Sequence, residues 1–428
     1  MKGASKVAQQ VGALRSRMFR SFSQRNYRVY FAGHSVSVAG TWMQRIGQDW
    51  LLLELTGSPL VLGVALFCQF LPVLLLSPWG GLLVDRTDTR RLLMVTQALQ
   101  AALAVTLAVV TLTGVATVTW VFLLAIGLGI VSAVDVPARQ TFVSELVDDA
   151  DIVNAQALTG VMHNLGRLLG PALAGVLILL VGVGITFVVN AVSFVAVLVS
   201  LTAIDVGRLH AVPVQPRGRG QLREGVAYVW RTPELRATVL IVAIVSLLGQ
   251  NFRVVFPVLA SETFAGDAGT YGVMTSALGI GAVLGSFASA AATRADSWRF
   301  LWTCVGFGAA NLLVAVSPTL GIALAAIALL GVLNLMLNVL GRAILLVNTA
   351  PQMRGRVIAI HSTVFLGATP FGGVAVGALV EVGGPRAGLV LAAASAVVAA
   401  AAAFPALRRV RAARAGEPSA VATEQPAG

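Results

Sequence analysis

The chain has 428 residues, of which 57% are hydrophobic and only 11% are charged. Soluble domains carry about 25% charged residues, so this composition excludes a soluble protein and indicates a lipid environment. The formal net charge of +12 would suit a nucleic-acid partner. The arginines, however, flank apolar runs as membrane anchors do, so no nucleic-acid binding is predicted.

Twelve apolar runs follow one another, each near the length of about 20 residues that crosses a bilayer core. The first six lie at 29–55, 60–83, 92–115, 118–138, 152–181 and 185–204. The second six lie at 237–261, 272–292, 300–316, 320–347, 357–380 and 387–407. We therefore expect an all-α membrane protein with two six-helix bundles, at 29–204 and 237–407, joined by a polar linker at 205–236.

Arginine is concentrated in the loops that follow even-numbered runs. Those positions are Arg86, Arg90, Arg91, Arg208, Arg217, Arg219, Arg294, Arg299, Arg354 and Arg356, whereas Arg386 is the clear exception. Positively charged loops stay in the cytoplasm, so the basic segment 1–28, the tail 408–428 and both termini are predicted to be cytoplasmic. Anionic lipid headgroups are the predicted partners of these arginines.

The two sets of runs resemble each other. The pattern Arg-x-Asp-x-x-Arg follows both the second and the eighth run, ending at Arg91 and Arg299, and prolines lie in the fifth and eleventh runs, at Pro171 and Pro370. Duplicated halves related by an axis along the membrane normal are typical of transporters that work by alternating access. We interpret the repeat as a real duplication.

The loop after the second run reads Gly81-Leu-Leu-Val-Asp85-Arg86-Thr-Asp88-Thr-Arg90-Arg91. It resembles motif A of the major facilitator superfamily, and that resemblance implies a latch that closes the cytoplasmic side when the protein faces outward. The implied members are Gly81, Asp85, Arg86, Arg90, Arg91, Arg139 and Arg356, with Asp85 bound to Arg139 and near Arg356. A glycine lets helix ends approach closely, and an aspartate suits a helix N-terminus. Ordinary membrane anchoring is the alternative interpretation of the arginines.

The fifth run contains Gly166, Gly170, Pro171 and Gly175. Small residues four positions apart favour close packing of helices, and a proline bends a helix. The segment is similar to motif C, which within the superfamily is associated with exporters that exchange substrate for protons. Plain helix packing is the alternative.

Three further sequence segments restrict the resemblance to one branch of the superfamily. They are Asn26-Tyr27-Arg28-x-Tyr30-Phe31 leading to Gly40-Thr41-Trp42-Met43-Gln44-Arg45, then Asp135-x-Pro137-Ala138-Arg139-Gln140, and Met353-Arg354-Gly355-Arg356-Val357. Together they resemble the branch that includes bacterial enterobactin exporters and macrolide efflux proteins, over nearly all of 22–407. The resemblance implies a monomeric secondary transporter of the bacterial inner membrane. Leu123 stands where proton antiporters carry an arginine, so that position cannot couple protons here.

Polar side chains inside the runs predict a binding cavity, because a charge at the bilayer centre costs about 3 kcal/mol. The predicted cavity residues are Gln44, Gln48, Asn164, Arg167, Gln250, Asn251, Arg253, Asn334 and Asn338. Arg45 and Asp49 share a helix face at i, i+4 and, with Asp135, are candidates for proton coupling or gating. The arginines outnumber Asp49, which predicts a cavity for anionic or neutral amphipathic substrates. A polar network that only joins helices is the alternative.

Other functional classes lack their signatures. Lys2 and Lys6 are the only lysines, so no Gly-x-x-x-x-Gly-Lys loop for ATP exists. Nucleophiles and metal ligands do not cluster, so we expect neither an enzyme nor a cofactor, and a proton gradient is the expected energy source. Proton-coupled export of a siderophore or antibiotic is predicted. Uptake of a small nutrient and a non-transporting receptor or scaffold stay open as alternatives.

Overall fold

The computed structural model describes residues 18–210, 221–290 and 296–416. The first half is built from α1 (Arg25–Thr56), α2 (Pro59–Val84), α3 (Thr89–Leu112), α4 (Val118–Glu145), α5 (Ile152–Val181) and α6 (Val183–Thr202). The second half follows as α7 (Gln221–Arg231), α8 (Pro233–Ile244), α9 (Phe252–Val258), α10 (Ala268–Ala290), α11 (Ser297–Val316), α12 (Leu320–Val347) and α13 (Arg354–Gly416). Segments 1–17 and 417–428 of the predicted termini, and Arg217, Arg219 and Arg294, lie outside the described residues.

Capping side chains fix where several helices begin. The side chains of Ser58, Asp88, Thr117 and Thr319 each accept a hydrogen bond from a backbone amide in the first turn of α2, α3, α4 and α12. This bond satisfies one of the amides that have no partner inside the helix. The capping residues in the short polar loops therefore mark where these helices begin.

The seventh predicted span is not one regular helix. A π-helical turn, Val245–Gly249, follows α8, and Gln250 and Asn251 then leave helical geometry before α9 begins. A second π-helical turn, Leu259–Thr263, ends the span. Such turns widen a helix and frequently occur at functional sites. The first of the two directs Asn251 and Arg253 toward the space between the two halves.

The last helix, α13, is two helices joined at Gly384, whose φ of +75° lies in the left-handed region and whose successor is Pro385. Ten helices in the described ranges are long and apolar enough to cross a membrane, with α13 counted once. Helix α1 has 32 residues but carries Arg45 and Asp49 in its second half, and it is not among these ten. In the described ranges each predicted run is largely helical, with the interruption at Gln250 and Asn251 in the seventh. The all-α prediction is confirmed, and the number of crossings, twelve, stays a prediction.

The halves meet along two helix pairs, α2 with α13 and α5 with α10. A Cβ atom on Gly63 would lie 2.2 Å from the carbonyl oxygen of Gly373, and one on Gly272 would lie 2.5 Å from that of Pro171. Only glycine permits backbones to approach this closely. The two interfaces therefore depend on small residues rather than on interlocking side chains.

These close contacts are concentrated toward one end of the bundle. The described chain starts and stops at one end of the bundle, which we call the termini end. The end marked by Ser58, Gly182 and Gly384, where these contacts lie, is the opposite end. The contacts of α2 with α13 run from Pro59 beside Gly377 to Leu74 beside Gly367. Asp85 lies more than two helical turns beyond Leu74, at the termini end. The halves are therefore closed on each other at the opposite end.

Candidate transport site

A cavity of about 250 Å³ lies between the two halves. Its wall combines aromatic rings with polar side chains from helices of both halves. The aromatic members are Trp42, Phe70, Phe252, Phe256, Tyr271 and Phe365. A mostly apolar pocket with a few convergent polar groups is the usual form of a small-molecule site.

Seven of the residues predicted to bind substrate or to gate line this cavity. They are Arg45, Arg167, Gln250, Asn251, Arg253, Asn334 and Asn338. The sequence could not indicate the aromatic members, because an apolar side chain that faces a cavity looks the same as one that faces lipid.

Gln44 and Gln48 lie elsewhere. They line a smaller pocket of about 60 Å³ inside the first half, where Gln44 Oε1 accepts a hydrogen bond from Asn190 Nδ2 at 2.6 Å. Arg45 lines this pocket as well as the central cavity, whereas Gln44 and Gln48 are not part of the central cavity's wall. Asn164 is half-buried on α5 and is not part of the wall of either cavity.

Asp49 forms an ion pair across the two halves. Arg253 places Nη2 2.6 Å from Asp49 Oδ1 and Nε 2.9 Å from Oδ2. Tyr271 donates its hydroxyl to Oδ2 at 2.9 Å, and Arg253 Nη1 donates to Gln69 Oε1 at 3.3 Å. The carboxylate is 3% exposed. Two parallel N–H···O bonds to one carboxylate are the strongest arrangement of such a pair, so these residues hold the halves together.

The pairing of Asp49 with Arg45 that helix spacing suggested is therefore corrected. The two residues do share a face of α1, but the carboxylate is bound by Arg253 of α9. Residue spacing reveals neighbours on one helix only, whereas the partner of Asp49 comes from 204 positions away in the chain. Tyr271 and Gln69 gave no signal in the sequence that set them apart as gate residues.

Arg45 and Arg167 both lie against the indole ring of Trp42. The guanidinium carbon of Arg45 is 4.6 Å from the centre of the indole ring and that of Arg167 is 5.8 Å away. The Nε atoms of both are buried without a hydrogen-bond partner. In the described ranges no carboxylate lies within 4 Å of either guanidinium, since the ion pairs found join other arginines. Stacking on an indole compensates only part of the cost of burying a cation, so this wall of the cavity stays positive.

A second clasp closes the opposite end. Glu381 Oε2 accepts hydrogen bonds from Ser58 Oγ at 2.7 Å and from the backbone amide of Leu60 at 3.1 Å. A carboxylate at the first turn of a helix is favoured by the helix dipole and by the free amides there. The clasp joins α13 to the start of α2 and adds to the Asp49–Arg253 pair.

Asp135 lies within the first half and is fully buried. Its Oδ1 accepts from Thr96 Oγ1 at 2.9 Å and from Gln97 Nε2 at 2.7 Å, and its Oδ2 lies 2.8 Å from Arg139 Nη2. These contacts join α3 to α4. Oδ1 is thus hydrogen-bonded within the first half, and Oδ2 is ion-paired with Arg139.

The predicted latch residues lie at the termini end. Gly81 is buried at the end of α2, Asp85 follows it half-buried, and Arg86 and Arg91 are exposed. Arg90 donates from Nε to the carbonyl oxygen of Leu201 at 2.7 Å.

The predicted partners of Asp85 are engaged by other acids here. Arg139 pairs with Asp135, and Arg356 pairs with Glu224 of α7 at 2.5 Å. The resemblance assigned the latch to the state closed at the termini end, and the arrangement seen here is closed at the opposite end.

The glycines of the fifth span lie at two interfaces. A Cβ on Gly166 would meet Val38 at 2.4 Å and one on Gly170 would meet Trp42 at 2.5 Å, so both pack α5 on α1. Gly175 faces the other half, where its Cβ would lie 3.0 Å from Gly269 Cα. The segment therefore positions Trp42 and also forms part of the contact between halves.

Two helical halves that meet on glycine-lined surfaces, with a polar and aromatic cavity between them, define a membrane transporter of the major facilitator type. The chain belongs to the transmembrane secretion effector family (MFS_3), whose model matches residues 16–426. This confirms the predicted superfamily, and members of it are transporters and not enzymes.

Three relatives have names that describe transport. The staphyloferrin A transporter of Staphylococcus aureus is 27% identical over 60% of this chain and 65% of its own length, which is less than two thirds. The multidrug efflux pump Tap of Mycolicibacterium fortuitum is 27% identical over 81% of this chain and 87% of its own. Macrolide efflux protein A of Streptococcus pyogenes is 21% identical over 55% and 59%.

Solved structures agree on the fold. A bacterial homologue of the iron transporter ferroportin, in an inward-facing state, superposes with a TM-score of 0.73 at 13% identity and covers 90% of this chain and 98% of its own. A bacterial homologue of the lysosomal transporter Spinster gives a TM-score of 0.70 at 14% identity, with coverage of 90% and 98%. Identity this low establishes the shared fold alone.

Proposed function

We propose that the protein is a secondary active exporter that carries an anionic or neutral amphipathic small molecule, such as a siderophore or an antibiotic, out of a bacterial cell in exchange for protons. The observation that carries the proposal is the wall of Arg45, Trp42 and Arg167. It presents two guanidinium groups without a carboxylate partner beside a large aromatic surface. A rigid ring and a fixed positive charge recognise a molecule that has an apolar body and an acidic group.

Charge in the cavity supports this choice of substrate. Asp49 neutralises Arg253, so the two arginines around Trp42 contribute the remaining formal charge of the wall. A cationic molecule would be repelled by this charge, and a neutral molecule would rely on aromatic contacts alone. The staphyloferrin A transporter and the macrolide efflux protein, named above, are relatives whose names fit a small exported or transported molecule.

Export is proposed from the names of the relatives, and the predicted orientation agrees with it. With the termini in the cytoplasm of a bacterial inner membrane, the opposite end is the outer face, and the arrangement described above is inward-facing. A substrate would then enter from the cytoplasm, and relatives named as efflux pumps support outward transport. The cycle would be a rocking of the two halves about the cavity, with the monomer as the working unit.

Coupling to protons is assigned to Asp49. Opening the outer face requires the Asp49–Arg253 pair to separate, and a proton arriving from outside would neutralise the freed carboxylate. A protonated Asp49 binds Arg253 weakly, so the proton would stabilise the outward-facing state in which substrate leaves. Return to the inward-facing state would release the proton as the pair forms again.

Everted membrane vesicles with an imposed proton gradient test the proposal. Catecholate siderophores, macrolides, tetracyclines and cationic dyes would be added in turn while proton release is recorded. We expect release with an anionic or neutral amphipathic compound, and at least a tenfold loss in the Arg45→Gln, Arg167→Gln double variant, because two charges are removed from the cavity.

The matched control is Arg386→Gln, which removes an exposed arginine at the opposite end. Release driven by cationic dyes alone, and unchanged in the double variant, would contradict the substrate class. Proton uptake coupled to accumulation of a nutrient in intact cells would favour the alternative of an importer. Absence of any coupled flux across a wider panel would favour a receptor or scaffold.

A further inference from the structure

A second cavity, of about 430 Å³, lies in the first half toward the termini end. We call it the vestibule. Its wall comes from α1, α4 and α5 and includes Tyr30, His34, Arg45, Arg139, Gln156 and His163. Arg45 also lines the central cavity, so this side chain is shared by the two spaces.

His34 and Tyr30 are buried in the vestibule wall with polar atoms that have no partner. His34 is 1% exposed, and both of its ring nitrogens are buried without a hydrogen bond. Tyr30 is 2% exposed, and its hydroxyl is likewise without a partner. More than nine in ten buried polar groups in proteins are hydrogen-bonded, so two neighbouring exceptions beside a cavity point to a ligand.

Aromatic contacts fix these side chains in place. The ring of His34 stacks on Tyr30, with 5.2 Å between centroids and 16° between planes. His163 meets His34 edge-on at 5.7 Å, and its Nδ1 lies 2.9 Å from the carbonyl oxygen of Thr159. The polar atoms are therefore held in position without a bond to the protein, as pre-organised binding groups are.

The charge of the vestibule is positive. Arg139 and Arg45 both line it, and no carboxylate is part of its described wall. Asp135, which is fully buried outside the wall, neutralises Arg139, so Arg45 contributes the uncompensated positive charge. Phenol, imidazole and guanidinium groups thus line one space. The charged groups among them are the guanidiniums, which can only donate hydrogen bonds.

We propose that the vestibule is an oxyanion subsite, which binds the carboxylate or phosphate group of an amphipathic substrate through Tyr30, His34 and Arg139. The inference rests on the proposed transport function and makes it more specific. Arg45 lines both spaces, so an amphipathic acid held in the vestibule lies next to the aromatic cavity. The substrate class is thus an aryl or alkyl acid, and not a neutral lipophilic compound.

Equilibrium binding to the purified full chain in detergent tests this. The probes are 1-naphthylacetate, 1-naphthyl phosphate and uncharged 1-naphthylacetamide, which share one apolar body. We expect at least one of the two anions to bind more than tenfold tighter than the amide. Tyr30→Phe and His34→Asn should each weaken binding of that anion about tenfold, the effect of losing one charge-assisted hydrogen bond, and leave the amide unchanged. The preferred anion distinguishes a carboxylate from a phosphate ligand.

His361→Asn is the matched control, because His361 is 8% exposed, has an unpartnered Nε2 and does not belong to the vestibule wall. Tyr30→Phe keeps the aromatic ring, so the variant protein should retain its fold. Elution of the variant as a single species verifies this. Equal binding of all three probes, or an equal loss of amide binding in both variants, would overturn the subsite.

Transport of the same anions in proteoliposomes separates the subsite from the function. If the Tyr30→Phe and His34→Asn variants transport the anions as fast as the wild type, the proposed subsite is wrong and the proposed export function stands. If binding depends on Tyr30 and His34 but no coupled transport occurs, the proposed subsite stands and the proposed export function is wrong.

Discussion

Arg253 and Asp49 form a two-point ion pair between the halves of the molecule, with one nitrogen 2.6 Å from Oδ1 and another 2.9 Å from Oδ2. The pair lies beside the central cavity, since Arg253 is part of the cavity wall. A movement that opens the opposite end must separate these two charges. We therefore expect the pair to act as a gate of the transport cycle.

The first prediction concerns the single removal of this carboxylate. Asp49→Asn leaves Arg253 buried without a counter-charge, and breaking such a pair on one side costs about 3–5 kcal/mol. We expect a lower thermal midpoint in detergent and a larger fraction of molecules open at the opposite end. Thermal unfolding followed by tryptophan fluorescence measures the first effect.

Two further variants isolate the pair. In the double variant Asp49→Asn, Arg253→Gln, the uncompensated charge is removed as well, so part of the lost stability should return. Glu54→Gln is the control, because Glu54 is an exposed carboxylate on the same helix that bonds only to Trp50 at 2.6 Å. Additive losses in the double variant would show that the two residues are not coupled.

The second prediction concerns the glycine contact of α2 with α13. Gly63→Ala would place a Cβ 2.2 Å from a backbone oxygen of Gly373, which cannot move aside as a side chain can. The helices must separate at the opposite end, so we expect longer distances between spin labels at Thr56 and Val382. The labels would be introduced after replacement of Cys68 and Cys304.

Gly321→Ala is the control for this change. A Cβ there meets nothing within 4 Å, although the residue is also a helical glycine. An equal change of distance in both variants would mean that a general loss of helix geometry, and not the contact between halves, is responsible.

The third prediction concerns the clasp of Glu381. Glu381→Gln removes the charge that faces the first turn of α2 but keeps an oxygen able to accept hydrogen bonds. Because the site is exposed to solvent, the change should be small, about 1 kcal/mol or less. A modest rise in the open fraction, measured with the same labels, is expected.

Glu262→Gln provides the comparison for Glu381, since it is an exposed carboxylate that follows α9 near the same end. A rise as large as that caused by Asp49→Asn would show that Glu381, and not the central pair, determines closure.

The fourth prediction concerns Arg356, which Glu224 of α7 binds in this state. If the latch resemblance is right, Asp85 and Glu224 compete for this arginine in alternate states. Glu224→Gln should then favour closure of the termini end, with shorter distances between labels at Thr87 and Gly355. The free energy difference should be about 1 kcal/mol, because Glu224 is mostly exposed.

Asp85→Asn tests the same competition from the other side. It should lengthen the Thr87–Gly355 distances and, in the background of Glu224→Gln, cancel the effect of that substitution. Shortened distances that persist in the double variant would exclude Asp85 as the competing acid.

Composition and hydropathy along the chain predict the all-α fold, the division into two halves and the positions of the polar residues within the runs. Lipid leaves no partner for a free backbone group, so spans must be apolar helices, and their lengths can be counted directly. The rare charges inside them stand out for the same reason, and Arg45, Arg167 and Arg253 were identified as cavity residues in this way.

Contacts between those residues could be identified only from the three-dimensional arrangement of the helices. Asp49 binds Arg253 and not Arg45, Gln44 faces Asn190 within the first half, and Arg356 contacts Glu224. These choices depend on how each helix is rotated and tilted against its neighbours, which is set by glycine contacts such as Gly63 with Gly373. Hydropathy along the chain carries no record of that rotation, because lipid and the protein interior are equally apolar.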